Sequence, residues 1–541
     1  MSLFRTRLAN LAATSKPERW LFVAFDQLSA TLGPLRAAAG GRTGIIMCET
    51  TWRPKQRAYH QQKLALVLAN QRQFAIEQAS RGVPVRYLMG TDDYATMLRA
   101  EGLKVGPIEV MEPAERELRT NLEPLIEGGH IRPIANPFWL SSEADFHESQ
   151  GERWRWRMDR FYRHMRLKKN LLIDEAGKPL GGKWSHDAAN RKRWPGTPTA
   201  PTRPVFEHDE IDQEVFALVR DRFGHHPGRL TPETLPTTQA HAEALWAFAL
   251  EQCLANFGAF EDAMTVTDPH LFHTNISQVL NLGRLSAARI VEDVAELDAP
   301  LNSQEGFIRQ VLGWREFVRH VHRETDGFRQ IDERAQVAPE PGAFQSQEAP
   351  SFLGSEEPLP PAFWGQDSGL KCLDHVVEEV WDHGYTHHIN RLMVLANWAT
   401  LLDVSPRALS DWFWVAFIDA FDWVVEPNVI GMGTFGVGEL MTTKPYISGS
   451  GYLNKMGDYC KSCQFSAGKT CPMTPMYWAF LNRHRPKLAG NVRLALPLAS
   501  AAKRTDDRQL EDERIARLVM TRLREGNAIG PQDFEVGPTH G

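Results

Sequence analysis

Three cysteines within twelve residues could hold a metal. Cys460, Cys463 and Cys471 follow the order C-x2-C-x7-C-P. A spacing of two lets one turn of backbone present two thiolates to one centre, and a tetrahedral metal or a cubane cluster needs four ligands. The fourth must come from the three remaining cysteines. Of these, Cys372 is favoured because it lies in the same half of the chain.

This cysteine spacing is compatible with two kinds of metal centre. A structural zinc site is the simpler interpretation. Pro472, directly after the last cysteine, is typical of ferredoxin-type ligation and favours a [4Fe–4S] cluster. The spacing alone leaves both centres open.

The composition limits the class of protein. A chain of 541 residues is long enough for two to four domains, and its net charge of −6 shows no global basic character. Six cysteines in such a chain argue against a disulfide framework. Residues 1–19 contain four basic side chains but no apolar core of a signal peptide, and no apolar run is long enough to span a membrane. We expect a soluble cytoplasmic protein.

The first part of the chain, residues 20–141, has an α/β pattern. Short apolar runs at 20–25, 44–48, 83–89 and 108–111 alternate with helical patterns, which predicts a parallel sheet. Ligands of such sheets bind at the carboxyl ends of the strands. Two of these ends are polar, Asp26-Gln27 and Cys48-Glu49. No glycine-rich phosphate motif follows either run, so a nucleotide site here has no support.

A basic segment and a linker follow. Residues 153–169, RWRWRMDRFYRHMRLKK, contain eight Arg or Lys and one acid, Asp159. This segment is the best candidate for contact with a phosphate backbone, and the alternative is a solvated helix face. Four prolines between Pro195 and Pro204 then indicate a linker.

From about Thr238 the pattern becomes helical. Amphipathic runs predict helices near 242–257, 277–297, 305–322, 374–398 and 405–423. A polar loop that ends in His273-Thr274-Asn275-Ile276-Ser277 precedes one of these runs. Its amides and hydroxyls would suit a pyrophosphate, although helix capping alone explains them.

Seven short blocks together with the cysteines resemble the photolyase/cryptochrome family, in its iron–sulfur bacterial branch of prokaryotic (6-4) photolyases. The blocks are FDQLS at 25–29, NFGA at 256–259, EGFIRQ at 305–310, GWRE at 313–316, YTHHINRLM at 385–393, PNVIGM at 427–432 and KPY at 444–446. They extend over nearly the whole chain.

The resemblance implies an α/β antenna domain with a Rossmann-like parallel sheet and an all-α FAD-binding domain. The expected divisions are an N-terminal extension (1–19), the antenna domain (20–141), a linker with the basic segment (142–237), the helical domain (238–503) and a C-terminal tail (504–541). Cys372, Cys460, Cys463 and Cys471 match the ligands of a [4Fe–4S] cluster. The spacing from Cys463 to Cys471 is shorter than the branch leads us to expect.

The resemblance also assigns the flavin site. Arg391 would face Asp419 across the flavin, and an Arg–carboxylate pair suits developing negative charge there. The further expected FAD contacts are Phe257, Gly258, His273, Thr274, Asn275, Ile276, Ser277, Gln310, Trp314, Arg315, Asn397, Asp422, Val425 and Asn428. Val425 occupies the position opposite flavin N5, where a polar residue is usual, and Glu426 follows it.

The implied reaction is light-driven repair of (6-4) pyrimidine–pyrimidone photoproducts in UV-damaged DNA. His387 and His388 would supply the proton, because histidine titrates near neutral pH. Tyr446 and Met432 would complete the pocket. Trp364 and Trp412 would carry electrons to the flavin, but Phe413 stands where a more easily oxidised tyrosine is familiar.

For the antenna, the resemblance implies 6,7-dimethyl-8-ribityllumazine near Asp26, Gln27, Cys48 and Glu49, with His60 and Lys63 as further candidates. We expect a monomer. A cryptochrome-type blue-light receptor that signals to a protein partner is the alternative function. A DNA enzyme with a metal cluster and no flavin is a third interpretation.

Overall fold

The computed structural model describes residues 2–13, 16–40, 42–337 and 350–535. Their first part forms a parallel five-stranded sheet, which confirms the predicted α/β region. The strands are β1 (Arg19–Phe22), β2 (Thr43–Thr50), β3 (Val85–Gly90), β4 (Ile108–Met111) and β5 (Ile131–Ile134). Their order is β3-β2-β1-β4-β5, and every neighbouring pair is parallel. The sequence patterns gave the first four strands and missed β5.

Helices cover the sheet and lead away from it. They are α1 (Leu3–Asn10), α2 (Trp52–Gln56), α3 (Gln61–Ser80), α4 (Tyr94–Val105), α5 (Arg116–Glu127), α6 (Glu143–Gln150), α7 (Met158–Lys169) and α8 (Glu210–Phe223). Phe4 of α1 is fully buried, and its ring meets the Tyr87 ring edge-on, with the two centroids 4.6 Å apart. The N-terminal extension is therefore packed against the edge strand β3.

The remainder is helical, as predicted. Its helices are α9 (Gln239–Phe248), α10 (Leu254–Phe260), α11 (Ser277–Asn281), α12 (Ala287–Glu296), α13 (Leu301–Ile308), α14 (Glu316–Glu324), α15 (Lys371–His383), α16 (His388–Asn390), α17 (Asn397–Leu401), α18 (Pro406–Ala416), α19 (Asp422–Glu426), α20 (Ser450–Met456), α21 (Met473–Arg483), α22 (Arg485–Leu488), α23 (Ala495–Ala502) and α24 (Asp506–Arg524). Thr238, Ser286 and Ser405 cap α9, α12 and α18 through their hydroxyls.

Four of the helical segments in the described chain contain wide π-helical turns. These turns span Ala249–Cys253, Arg309–Arg315, Arg391–Ala396 and Pro427–Gly433. A π turn adds a residue to the helix and redirects side chains, and such turns are frequent at functional sites.

The C-terminal residues pack onto the helical region. Val519 and Leu523 of α24 are buried, and α24 lies against α21. We call residues 526–535 the C-terminal clasp. Its Ile529 amide donates to the Ser368 carbonyl at 3.0 Å, and its Ile529 carbonyl accepts from the Gln464 side chain at 3.0 Å. The rest of the predicted tail, 536–541, lies outside the described residues. Within the described chain, no helix has the length and apolar character needed to cross a bilayer.

Candidate functional site

A cavity of about 1330 Å³ lies in the helical region. Ordinary ligand pockets measure roughly 300–1,000 Å³, so this one has room for a dinucleotide and more. The predicted residues that line it are Phe257, His273, Thr274, Asn275, Ile276, Ser277, Gln310, Trp314, Arg315, His388, Arg391, Asp419, Val425, Asn428, Met432 and Tyr446. Three of the four π turns contribute to this wall, and the turn Ala249–Cys253 does not.

Some predicted residues lie outside the cavity wall. Gly258 packs so closely on α13 that a Cβ would meet the Ser303 backbone at 2.7 Å. Asn397 is fully buried and exchanges hydrogen bonds with Ser448 at 3.0 and 3.2 Å. Asp422 accepts from the Glu117 amide at 3.0 Å. In the structure these three residues serve packing and backbone contacts.

An arginine–carboxylate pair marks the wall of the cavity. Arg391 donates two hydrogen bonds to Asp419, at 3.0 and 3.1 Å, and a third to the Thr386 carbonyl at 2.7 Å. Burial raises the pKa of Asp419, but Arg391 and the Ser277 hydroxyl at 2.7 Å outweigh it, so the pKa lies below its usual value. Asp419 is therefore ionised at neutral pH and is held in place by Arg391 and Ser277.

The polar loop before α11, residues 273–276, contains buried polar atoms that make no hydrogen bond within the described chain. His273 Nε2 and Asn275 Oδ1 are buried without a partner among the described residues. No side chain caps α11, so capping does not explain the loop. Buried polar atoms are normally satisfied, and orphaned ones at a cavity indicate a missing ligand. Phosphates and a ribityl chain would fit these donors and acceptors.

The two predicted catalytic histidines have different environments. The His387 ring is 1% exposed and stacks on the His273 ring, with centroids 4.6 Å apart and an angle of 6°. Burial, then the charges of His388 and Arg391, hold the pKa of His387 well below 6.5. His388 lines the cavity with 42% of its side chain exposed, and its Nε2 lies 3.7 Å from the Asp262 carboxylate. Asp262 is a cavity residue that the sequence did not indicate.

Val425 lines the cavity, whereas its neighbour Glu426 does not. Glu426 is buried and bonds to His322 at 3.0 Å and Arg407 at 2.9 Å. Burial raises the pKa of Glu426, but these partners lower it to about 2. Glu426 therefore cannot supply the polar group that Val425 lacks.

The four predicted metal ligands lie together under the clasp. Cys372 is on the first turn of α15, Cys460 and Cys463 lie in the loop before α21, and Cys471 is next to the start of that helix. The Trp398 indole donates to Cys372 Sγ at 3.4 Å. Burial, with repulsion from the other cysteines, raises the pKa of the Cys372 thiol, so a thiolate at this position would need a nearby positive charge.

No three of the four sulfurs lie within 4.8 Å of one another in the described chain. A tetrahedral zinc with bonds of about 2.3 Å would hold its sulfurs about 3.8 Å apart. The sulfurs are therefore farther apart than a bound zinc ion would hold them. Cys48 and Cys253 are buried elsewhere, in the sheet and beside His273.

A second cavity, of about 330 Å³, lies at the carboxyl ends of the strands. Of the predicted antenna residues, Glu49 and Lys63 line it, but Asp26, Gln27, Cys48 and His60 do not. Gln27 donates to the Met111 carbonyl at 2.8 Å, and Cys48 is in the sheet core. The sequence did not indicate Arg53 and Glu115, which line this cavity and form a buried ion pair at 2.5 Å.

The basic segment reaches the rim of the large cavity. Arg157, Asp159 and Arg163 line the cavity, and Arg160 is exposed on the same helix, α7. Arg166 is buried and donates to backbone carbonyls, so it is structural. Some basic residues of this segment are thus available to a ligand, whereas Arg166 stabilises the local fold.

Comparisons with known proteins agree with this geometry. A family model of deoxyribodipyrimidine photo-lyase-related proteins matches residues 21–235. A (6-4) photolyase of Agrobacterium fabrum is 33% identical over 502 residues, covering 89% of this chain and 95% of that protein. An uncharacterized mimivirus protein is 30% identical over 134 residues, which are 24% of this chain and all of that protein.

A solved structure shares the fold. The crystal structure of a bacterial class III photolyase from Agrobacterium tumefaciens has a TM-score of 0.55 at 15% identity, covering 95% of this chain and 99% of its own. The sheet region joined to a helical region is therefore the photolyase architecture. The chain belongs to the photolyase family.

Proposed function

We propose that this chain repairs (6-4) pyrimidine–pyrimidone photoproducts in DNA by light-driven electron transfer from reduced FAD. The observation that carries the proposal is one large cavity that combines the Arg391–Asp419 pair with solvent-accessible His388. The name of the Agrobacterium fabrum relative, (6-4) photolyase, supports the same reaction.

FAD would supply the electron, since reduced flavin absorbs blue light and can donate to a pyrimidine lesion. The loop with His273 and Asn275 would satisfy its polar atoms, and Arg391 would offer positive charge. Gln310, Trp314, Arg315 and Asn428 line the remaining wall. The cavity excludes bulk water on its buried side, which strengthens each of these contacts.

His388 would move the proton that the (6-4) lesion needs for the return of its migrated group. It reaches solvent and faces Asp262, which can pair with an imidazolium. Buried His387, neutral at pH 7, would position its neighbour and carry no charge itself. Tyr446 and Met432 line the same cavity and would contact the lesion.

The proposal includes three further partners. Cys372, Cys460, Cys463 and Cys471 would hold a [4Fe–4S] cluster. The cavity at the strand ends would hold an antenna chromophore, with 6,7-dimethyl-8-ribityllumazine the first to test. The exposed part of the segment 153–169 would bind the phosphates beside a lesion flipped into the large cavity.

A blue-light receptor with little repair activity is the second candidate. Val425 favours it, because valine cannot hydrogen-bond to a flavin nitrogen and the flavin redox states would be tuned differently. The two functions differ in whether the lesion is chemically reversed.

Illumination of the reduced protein with an oligonucleotide that carries one (6-4) photoproduct tests the proposal. We expect chromatography to show the return of intact thymines, and no reversal of a cyclobutane dimer. His388→Ala should abolish reversal while FAD stays bound and photoreducible, and His387→Ala should lower the rate less. A wild type that binds the lesion and never reverses it would support the receptor. Full repair by His388→Ala would place the proton donor elsewhere.

A further inference from the structure

A row of aromatic rings joins the protein surface to the large cavity. The Trp364 side chain is 52% exposed, and its ring stacks on Trp381 with centroids 5.5 Å apart. The Trp381 ring meets Trp412 edge-on at 5.9 Å, and Trp412 contacts Phe413 at 5.3 Å. Phe413 lines the cavity. The sequence indicated Trp364 and Trp412 but not the ring between them.

Trp381 connects two rings that do not touch each other. Among the described residues, Trp364 and Trp412 have no mutual ring contact, and both contact Trp381. The indoles of Trp381 and Trp412 donate to the same carbonyl, that of Phe363, at 3.1 and 2.9 Å. This shared acceptor fixes the two indoles relative to each other.

We propose that Trp381 is an electron carrier between Trp364 and Trp412, which rests on the proposed function in that the flavin is the final acceptor. The rate of electron transfer falls exponentially with distance. Two short steps through the Trp381 ring are therefore faster than one long step directly from Trp364 to Trp412. Phe413 is much harder to oxidise than tryptophan and holds no charge. The electron crosses it from Trp412 in a single step.

The electrons and protons balance with an external thiol as reductant. A flavin held in the large cavity would take one electron from Trp412 under blue light. Trp381 would then return an electron to Trp412, and Trp364 would return one to Trp381. A thiol at the surface then returns one electron to Trp364. Two such events oxidise two thiols to one disulfide, and release two electrons for the flavin and two protons.

The surroundings of Trp381 suit a transient positive charge. The His60 ring lies parallel to it, with centroids 5.9 Å apart, and His60 Nε2 bonds to the Trp381 carbonyl at 3.1 Å. Burial lowers the pKa of His60 to about 4, so the ring facing the indole is neutral. A neutral imidazole does not oppose a cation on its neighbour.

Trp381→Phe keeps a ring in place but removes the carrier. With dithiothreitol and blue light, we expect flavin photoreduction to slow at least tenfold, and the indole radical signal in transient absorption to decay early by recombination. Trp246→Phe, a buried tryptophan bonded to Asp293 far from this row, is the control and should match wild type. In flavin-free protein, Trp381→Phe should also remove the near-UV circular dichroism couplet of the Trp364–Trp381 stack.

Trp381→Tyr is the second variant if the phenylalanine variant does not fold. Oxidised tyrosine must lose its proton, so a solvent deuterium isotope effect should appear on photoreduction only if residue 381 carries charge. Wild-type rates and radical lifetimes in Trp381→Phe, or no isotope effect in Trp381→Tyr, would overturn the carrier alone. A wild type that binds no flavin would overturn the proposed function as well.

Discussion

Both cavities contain buried polar atoms that have no hydrogen-bond partner among the described residues: His273 Nε2 and Asn275 Oδ1 in the large cavity, and Thr51 Oγ1 and Glu115 Oε1 in the strand-end cavity. Two charged side chains of the strand-end cavity are nevertheless held by the protein itself. There, Glu49 accepts two hydrogen bonds from Arg72 at 2.7 and 2.8 Å. Lys63 donates to the Trp414 and Ala420 carbonyls at 2.6 and 2.5 Å.

The unsatisfied atoms bear on how each cavity binds. An unsatisfied buried polar group costs about 1–3 kcal/mol, and a ligand that satisfies it recovers that free energy. A ligand of either cavity should therefore stabilise the protein. The strand-end cavity also holds its shape through the ion pairs Arg53–Glu115 and Arg72–Glu49, so its charged groups are less available to a ligand.

The largest expected effect is the loss of iron and soluble protein on substitution of a cysteine in the helical region, compared with substitution of a cysteine in the sheet. Cys372→Ala or Cys460→Ala should lose iron and most soluble protein, because thiolate ligation contributes directly to the free energy of folding. Cys48→Ala, in the sheet core, should keep both. Iron and acid-labile sulfide per chain measure the outcome, and zinc without sulfide would contradict the cluster.

A smaller difference in flavin binding is expected between variants of the two arginine–carboxylate pairs, Arg391–Asp419 and Arg72–Glu49. Arg391→Ala leaves Asp419 buried and unpaired, which should cost about 3–5 kcal/mol, and flavin should be lost. Arg72→Met at the strand-end cavity should destabilise the sheet region but leave flavin bound. Flavin absorbance of the purified variants, with urea unfolding, checks both. Equal flavin loss in both variants would mean that the two cavities are not independent.

A third prediction concerns Asp26, whose carboxyl lies beneath the strand ends. Burial, then repulsion from Glu115, raises the pKa of Asp26 to about 7. Between about pH 4 and 7, Asp26 stays protonated in the folded state but is ionised in the unfolded chain. The contribution of Asp26 to the free energy of unfolding is therefore fully present below about pH 4 and is lost as the pH rises to 7. Asp26→Asn should remove a decline on the order of 2 kcal/mol between pH 5 and 7, measured by urea midpoints. An unchanged decline would exclude Asp26 as its source.

The smallest effect concerns DNA. Arg160→Glu with Arg163→Glu, at the large cavity, should weaken binding to damaged and undamaged duplex alike by about tenfold and lower the salt slope by about 2. Arg222→Glu, an exposed residue of the strand-end cavity, is the matched control and should bind as wild type does. DNA affinities measured at several salt concentrations test this prediction. An unchanged dependence of affinity on salt would mean that the segment 153–169 is only a solvated helix face.

The fold class and most of the large cavity could be predicted from the sequence, because short blocks such as 385–393, which leads into α16, keep neighbouring site residues together in the chain. The strand-end cavity could not. Alternation along β2 turns Cys48 into the core and Glu49 outward, and a one-residue error in register exchanges them. Arg53 and Glu115 come from separate elements and meet only in three dimensions.

Tertiary contacts explain the other omissions. Trp381 belongs to an amphipathic helix, α15, and a tryptophan in such a helix is usually interpreted as a core residue. The packing of α15 on the segment around Trp364 is what places the Trp381 ring between Trp364 and Trp412. The termini carried no motif, yet Phe4 and Ile529 are buried. One apolar side chain in a polar segment gives too weak a signal to predict such docking.

The C-terminal clasp also has a consequence in time. Residues 526–535 follow the cysteines in the chain, so the ribosome completes the loop around Cys460 and Cys463 before it makes the segment that covers it. During synthesis this loop is open, and the cluster proposed for it would be loaded most readily in that interval. Closure of the clasp would end the interval, so the order of translation would place metal loading ahead of final folding.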